Sequence, residues 1–122
     1  MTKKMKLILP YPPSVNSYWG FKGSHRFLTI KAKEFKTNCL VAYKQLQQLG
    51  FGAARLEVHI ELYPPDRRKR DIDNGIKSLL DSLCQAGIFD DDSQIDSLHI
   101  VRKELFKKGK CIVTIQNIHF DS

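Results

Sequence analysis

The sequence predicts a single-domain α+β protein, residues 1–122, in which a mixed β-sheet carries two main helices on one face. The length is close to the commonest domain size, and neither a repeat nor a low-complexity linker divides the chain. Hydrophobic residues make up 42% of the sequence, enough to fill a core. Segments with strand-like alternation lie around two segments of helical periodicity, an order typical of α+β proteins.

Charge is unevenly distributed along the chain. The formal net charge is +7, with 20 lysines and arginines against 13 aspartates and glutamates. Residues 66–96 hold eight of the acids and five of the bases, which leaves five acids and fifteen bases elsewhere. A basic surface is typical of proteins that bind polyanions, although charge that serves only solubility gives the same total. The acidic segment within a basic chain is the first indication of a functional site.

The three cysteines, Cys39, Cys84 and Cys111, are odd in number and contain no C-x-x-C pair. This usage indicates a reduced, cytoplasmic protein without a structural zinc. No apolar stretch reaches the length of a signal sequence or a membrane span, so we expect no membrane association.

The N-terminal segment predicts a strand over Lys4–Leu9, followed by a long structured loop or ragged hairpin over residues 12–29. Aromatic and basic side chains are interleaved in this loop: Tyr18, Trp19, Phe21, Lys22, His25 and Arg26. In such a set the aromatic rings can stack on bases and the basic side chains can bind phosphates. It can equally pack over one end of the core, and we favour that interpretation for Trp19.

A long helix is predicted over Ile30–Leu49, with Thr29 as N-cap and Gly50 just past its end. Its apolar stripe, spaced by three and four residues, consists of Phe35, Cys39, Ala42, Leu46 and Leu49. Cys39 is therefore interpreted as a small buried hydrophobe.

Arg55–Tyr63 alternates between apolar and polar residues, which predicts a half-buried strand. Glu57, His59 and Glu61 share its polar face and have the chemistry of metal ligands. The solvent face of an antiparallel strand explains them more simply, and we favour that explanation.

A second helix is predicted from a cap at Asp73 or Asn74 to about Ala86, with Gly87 after it. The chain is then expected to end in a hairpin of two strands, Ser97–Phe106 and Cys111–Phe120, joined by a turn over residues 107–110.

The acids around the second helix have a pattern that suits a divalent cation. Asp71 and Asp73 precede the helix, directly after a run of four cations, and three aspartates at 90–92 follow it. Helix capping explains one of these acids, but not all. Carboxylates together with phosphate oxygens are the usual ligands of Mg²⁺, and two-metal sites of this kind hydrolyse phosphodiesters. An EF-hand loop is excluded, because neither cluster has glycine and glutamate at the required positions.

Lys77 lies four residues after Asp73 on the predicted helix. Two interpretations remain equally open from the residues alone. Lys77 either forms an ordinary surface ion pair with Asp73 or stabilises charge on a reacting phosphate.

Two stretches, PYPPSVNSYW and PDRRKRDIDNGIKSLLDSLCQAGIFDDDSQID, resemble the RusA family of Holliday-junction endodeoxyribonucleases. The resemblance implies a homodimeric α+β protein of DNA recombination and repair. Such a protein binds branched DNA and cuts four-way junctions by paired nicks with Mg²⁺, for which Mn²⁺ substitutes. It also implies site residues, which are the metal ligands and catalytic residues Asp71, Asp73 and Asp92, the catalytic Lys77, and the DNA-binding Arg67, Arg68, Lys69 and Arg70.

The third ligand depends on the alignment of the acidic run. Matching without gaps from Asp71 selects Asp92, whereas a shift of one residue selects Asp91 as the secondary choice. Asp90 and Asp81 are interpreted as surface charges.

Two other functions fit the same residues. One is a non-catalytic nucleic-acid-binding module, in which the acids serve solubility or capping. The other is a nuclease for other branched or flap structures, or for RNA ends.

Overall fold

The computed structural model describes residues 3–118. In chain order its elements are β1 (Lys4–Leu9), α1 (Val15–Tyr18), β2 (Trp19–Lys22), β3 (His25–Leu28), α2 (Ile30–Leu46), β4 (Leu56–Tyr63), α3 (Ile76–Gln85), a 3₁₀ turn (Asp92–Gln94), β5 (Ile95–Arg102) and β6 (Lys110–Asn117). Within this range the helices fall short of the length and hydropathy that a membrane span requires.

The main sheet has four strands in the order β1-β6-β4-β5. β6 is antiparallel to both β1 and β4, whereas β5 is parallel to β4. The sheet is therefore mixed, which confirms the predicted α+β class. β2 and β3 form a separate antiparallel hairpin, so the ragged loop predicted over residues 12–29 is in part a hairpin.

The core lies between one face of the sheet and the helices α2 and α3. Alternate residues of β4 are buried, as the sequence pattern predicts: Leu56, Val58, Ile60 and Leu62. They pack with Phe35 and Cys39 of α2 and with the apolar stripe of α3. The buried position of Cys39 confirms its role as a small hydrophobe.

The C-terminal hairpin is the main error in the predicted topology. β5 and β6 do not pair with each other, because β4 lies between them and pairs with both. β4, α3 and β5 form a βαβ unit, in which the helix serves as the crossover that two parallel strands require. Residues 119–120 of the predicted last strand lie outside the described residues.

Helix boundaries differ from the predicted ones at both helices. Thr29 caps α2 as predicted, accepting a hydrogen bond from the N–H of Ala32. α2 ends at Leu46, because Gln47 adopts a left-handed conformation, and Leu49 is therefore exposed rather than part of the stripe.

The cap predicted for the second helix is also wrong. The N-cap of α3 is Gly75, and no side chain caps the helix. Residues 72–75 form tight turns, in which the N–H of Ile76 bonds to the carbonyl of Asp73. The side chains of Asp71 and Asp73 are thus not used as helix caps.

Candidate metal and DNA site

The fold brings the last acidic cluster to the first turn of α3. Asp71 and Asp73 lie in the turns that lead into this helix, and Lys77 is its second residue. Lys77 Nζ donates a hydrogen bond of 2.7 Å to Asp92 Oδ2 and lies 3.2 Å from Asp81 Oδ1. Asp92, which follows the helix, is therefore linked to the first turn of the helix through this lysine.

The ion pairs of Lys77 differ from the one considered from the sequence. Lys77 pairs with Asp92 and Asp81 rather than with Asp73. The hydrogen bond to Asp92, followed by that to Asp81, raises the pKa of Lys77 to about 12. The lysine is therefore a permanent cation at neutral pH, held beside the predicted third ligand.

Asp71 and Asp73 are exposed. Their carboxylates have no hydrogen-bond or ion-pair partner among residues 3–118, although four cations precede them in the sequence. Neighbouring carboxylates repel one another unless a cation compensates for their charge. These two side chains are free to accept one from solution.

The structure gives Asp91 and Asp92 different environments. The Asp91 side chain caps the 3₁₀ turn by accepting a hydrogen bond of 3.0 Å from the N–H of Ser93. Hydrogen bonds from Ser93 lower the pKa of the Asp91 carboxyl group. Asp92, by contrast, points toward α3 and contacts Lys77.

Gln94 holds the acidic turn in place, and sequence reasoning missed it. This side chain is only 5% exposed. Its Oε1 accepts hydrogen bonds from the N–H groups of Asp90 and Asp91, at 3.0 and 2.8 Å, and its Nε2 donates to the carbonyls of Gly52 and Ala54. The signal in the sequence is the D-x-x-Q spacing from Asp91, which is typical of a capping box.

The N-terminal Pro-Pro-Ser segment packs against the loop of Asp71 and Asp73. The N–H of Val15 bonds to the carbonyl of Asn74 at 3.2 Å, and Ser78 Oγ donates to the carbonyl of Pro13 at 2.8 Å. A side chain at Gly75 would meet Pro12 at 3.2 Å, so this contact is close. Beside it lies a cleft of about 430 Å³, with Lys31, Arg68, Arg70 and Asp71 among its lining residues.

The predicted basic run divides into two kinds of residue. Arg67 and Lys69 are exposed and unpaired within the described chain, and the Arg68 side chain is 81% exposed. Arg70 is only 22% exposed because it forms a 2.8 Å ion pair with Asp66 and donates to two carbonyls of its own loop.

Two further cations adjoin this run, and sequence reasoning missed them. Arg102 donates a hydrogen bond of 2.6 Å to the carbonyl of Arg70. Arg102 and Lys103 line a shallow groove together with residues 66–70. The end of β5 therefore enlarges the basic surface beside the aspartates.

The group of possible metal ligands on β4 differs in the structure from the one considered from the sequence. Glu57 and His59 lie beside His99 of β5, with ligand atoms within 4.8 Å of one another. Glu61 instead lies 3.7 Å from Lys103. In the described chain Glu57, His59 and His99 are the group of three ligand-type side chains that converges this closely, and Asp71, Asp73 and Asp92 are not.

This sheet cluster satisfies much of its own hydrogen bonding. His59 Nε2 lies 2.9 Å from Glu57 Oε1, and the rings of His59 and His99 stack at 4.6 Å with an interplanar angle of 4°. The cluster occupies the sheet face that the helices leave open, because neighbouring β4 residues of the opposite face point into the core.

The cysteines offer no activated nucleophile. Burial raises the pKa of the Cys39 thiol to about 12 and also raises the pKa of Cys111. Cys84 has its pKa raised by burial and by neighbouring aspartates, and its thiol donates to the carbonyl of Asp90. A thiolate is the nucleophilic form, so these environments disfavour cysteine chemistry.

Comparison with known proteins shows that the sequence of this chain is similar to those of nucleases. Residues 10–116 match the family described as endodeoxyribonuclease RusA. The chain is 38% identical to the crossover junction endodeoxyribonuclease rusA of Enterobacteria phage HK97, over 93% of this chain and 94% of that protein. It is 32% identical to proteins of the same name from Escherichia coli strain K12 and Enterobacteria phage 82, in each case over 89% of this chain and 91% of the relative.

Proposed function

Because this chain belongs to the RusA family of endodeoxyribonucleases, we propose that it nicks four-way DNA junctions by divalent-metal-dependent phosphodiester hydrolysis. The observation that carries the proposal is the position of Asp92. Its carboxylate is held at the first turn of α3 by Lys77, directly after the turns that present Asp71 and Asp73. In the sequence a helix separates Asp92 from Asp71 and Asp73. In the βαβ unit Asp92 returns to the first turn of that helix, where it contacts Lys77.

The carboxylates of Asp71, Asp73 and Asp92 form the proposed metal-binding set. They offer only oxygen donors, which suits Mg²⁺ or Mn²⁺, and Asp71 and Asp73 have no cation partner among the described residues. Binding commonly changes side-chain rotamers without moving the backbone, and exposed aspartates can converge in this way. Bound divalent ions supply an activated water and charge stabilisation for phosphodiester hydrolysis.

Asp92 rather than Asp91 is the proposed third ligand. The Asp91 carboxylate is used to cap the 3₁₀ turn, and moving it would leave the N–H of Ser93 without its partner. Asp92 has a single kind of protein contact, the ion pair with Lys77. Gln94 fixes the backbone from which both side chains project.

Lys77 is proposed to stabilise the negative charge that builds up on the phosphate. Its Nζ already lies between two carboxylates at the end of α3 that faces the metal-binding set. A bound cation that competes for Asp92 would free the ammonium group to turn toward the substrate. Fixed positive charge aimed at developing negative charge is a large contribution to catalysis.

Contacts to the DNA backbone are proposed for Arg67, Arg68 and Lys69, joined by Arg102 and Lys103. These cations border one groove beside the aspartates. Arg70 has a different proposed role, since its ion pair with Asp66 shapes the loop that presents the other cations. Binding through phosphates is independent of sequence and weakens as salt increases.

Resolution of a junction requires two symmetric nicks, so we further propose that the functional form is a homodimer. A two-fold axis relates two identical sites and matches the two-fold symmetry of a four-way junction.

The test is cleavage of a synthetic mobile four-way junction with and without Mg²⁺. The proposal expects paired nicks that require the ion and are lost in Asp73→Asn, while junction binding is kept or strengthened. Binding without any metal-dependent nicking would favour a non-catalytic nucleic-acid-binding module. Preferential cutting of flap or RNA substrates in parallel reactions would indicate another specificity.

A further inference from the structure

We propose that the β2–β3 hairpin inserts at the branch point of the DNA and stacks the Phe21 ring on an exposed base, while Arg26 and Lys22 contact the neighbouring phosphates. This inference rests on the proposed function, because it assigns a substrate-reading element to the same reaction. It concerns a part of the molecule that the metal site and the basic groove do not include.

The hairpin displays apolar rings to solvent. Every residue from 21 to 27 is exposed, and Phe21 is 69% exposed. Leaving such a side chain in water forgoes the stability that its burial would give the free protein. A single exposed ring is common on protein surfaces, so its meaning depends on the cation and the second ring beside it.

The two phenylalanines of the hairpin differ in how they are held. The Phe27 ring lies across Gly20, where an added Cβ would come within 2.5 Å of it. Phe27 thus covers its own hairpin and is 46% exposed. Phe21 lies on the opposite side of the hairpin, because it alternates with Gly20 along β2.

Phe21 shares its face with a cation that is held against a second ring. Phe21 pairs directly with Arg26 across the hairpin, so their side chains point the same way. The Arg26 guanidinium lies 3.9 Å from the centre of the Trp19 ring. This face therefore presents two rings with a positive charge between them, which suits a base beside its phosphate.

The base of the hairpin is fixed. Tyr18 is only 2% exposed and contacts Trp19 edge-on, with ring centres 5.3 Å apart. The N–H of Thr29 bonds to the carbonyl of Tyr18 at 3.1 Å, which closes the hairpin where α2 begins. A preorganised element loses less entropy on binding than a mobile loop does.

The same base is tied to the loop of the proposed metal site. α1 ends where the hairpin starts, and Val15 at its beginning bonds to the carbonyl of Asn74. Asn74 follows Asp73 directly. Strands of four residues extend about 13 Å, so a DNA strand held at the aspartates has the hairpin within a few nucleotides.

DNA is the occupant that the charges favour. Residues 19–28 include Lys22, His25 and Arg26 and contain no acid. A branch point also lowers the cost of inserting a ring, because its terminal base pairs have already lost continuous stacking on one side. A second copy of this chain is less well matched, because two copies that met through this face would bring their cations together.

The experiment places 2-aminopurine either at the branch point of a four-way junction or eight base pairs along one arm. The reactions contain no divalent metal, so that the junction stays intact. Wild type is expected to change the fluorescence at the branch point and not in the arm. Phe21→Ala is expected to lose this change and to bind the junction about 10-fold more weakly, while its affinity for linear duplex is unchanged.

Two further variants provide controls. Phe21→Trp keeps a ring that stacks and should restore the branch-point signal. Phe106→Ala removes an aromatic side chain that is 42% exposed outside the hairpin, and should behave as wild type. Thermal melting of each variant checks that the fold is retained.

The hairpin inference fails if Phe21→Ala keeps the wild-type branch-point signal and the wild-type preference for junction over duplex. That outcome would leave the nuclease proposal intact as long as wild type nicks the junction with metal. A wild-type protein that does not nick the junction contradicts the proposed function instead, whatever the fluorescence shows.

Discussion

Two polar clusters of this protein have ligand chemistry, and they differ in what the surrounding chain does for them. On the open face of the sheet, Glu57, His59 and His99 lie within 4.8 Å of one another. Beside α3, Asp71, Asp73 and Asp92 are less tightly gathered, but Asp92 pairs with Lys77, and Asp71 directly follows the cations of a basic groove. The more closely spaced cluster is thus not the one to which the proposed function assigns the metal.

The comparison teaches that convergence alone does not identify a catalytic metal site. The sheet cluster is explained by its own contacts, since a hydrogen bond joins Glu57 to His59 and ring stacking joins His59 to His99. Neighbours across two paired strands come together simply because of the sheet register. Asp71 and Asp73, by contrast, have no hydrogen-bond or ion-pair partner among residues 3–118, and the proposed function assigns them a divalent cation.

The largest effect is expected from the aspartates. Asp71→Asn, Asp73→Asn and Asp92→Asn each remove a proposed ligand, so Mg²⁺-dependent junction cleavage should fall by at least ~10³-fold. Glu57→Gln, the matched change in the sheet cluster, should cleave within about twofold of wild type. Single-turnover nicking measures both. A strong loss in Glu57→Gln with little loss in Asp92→Asn would reverse the roles of the clusters.

The next effect concerns Lys77. Replacing it with methionine keeps most of its volume and removes its charge, so cleavage should fall by ~10²-fold or more. Asp81→Asn removes the other ion-pair partner of Lys77 and should change cleavage less than about threefold. Equal losses in the two variants would mean that Lys77 acts only through its ion pairs on the helix.

Gln94 should be the most sensitive position for stability near the site. Gln94→Ala leaves the N–H of Asp91 and the carbonyl of Ala54 without a partner and removes one of the two contacts of Asp90 N–H and of the Gly52 carbonyl, which should lower the free energy of unfolding by about 2–4 kcal/mol. Gln48→Ala, at an exposed position, should change it by less than about 0.5 kcal/mol. Urea denaturation compares them, and similar midpoints would show that Gln94 does not hold the turn.

Within the basic run, Arg67 and Arg70 should respond differently. Arg67→Ala removes an exposed cation, so the slope of log K against log salt for DNA binding should decrease by about one. Arg70→Ala breaks the ion pair with Asp66 and should instead lower the melting temperature. Identical behaviour of the two variants would contradict their separate roles.

The smallest effect is expected in the sheet cluster itself. His59→Ala and His99→Ala remove one ring of a stacked pair, a change worth about 0.2–1 kcal/mol of unfolding free energy. Junction cleavage in Mg²⁺ should stay within about twofold of wild type. Cleavage that depends on these histidines would require a metal site on the open face.

The sequence predicts some parts of this structure well because their signals are local. The alternation over β4 and the Thr29 cap of α2 are short-range patterns, and both are confirmed. The motif that places Asp71, Asp73 and Lys77 around one helix start is also local. The fold supplies the rest of that arrangement.

Other features could not be predicted from local patterns. β5 and β6 are neighbours in sequence with a turn between them, yet both pair with β4 because its two edges are available. Leu49 fits the apolar spacing of α2, but the left-handed Gln47 ends the helix before that position is reached. His99 joins Glu57 and His59 only through the register of parallel strands, which no single segment reveals.

Manganese binding tests most directly whether the aspartates beside α3 form the metal site. Electron paramagnetic resonance follows free Mn²⁺ as it is titrated with wild type, Asp92→Asn and His59→Ala. We predict that wild type and His59→Ala remove Mn²⁺ from the free signal to the same extent, and that Asp92→Asn does so much more weakly. Unchanged binding in Asp92→Asn, together with loss of binding in His59→Ala, would contradict the account.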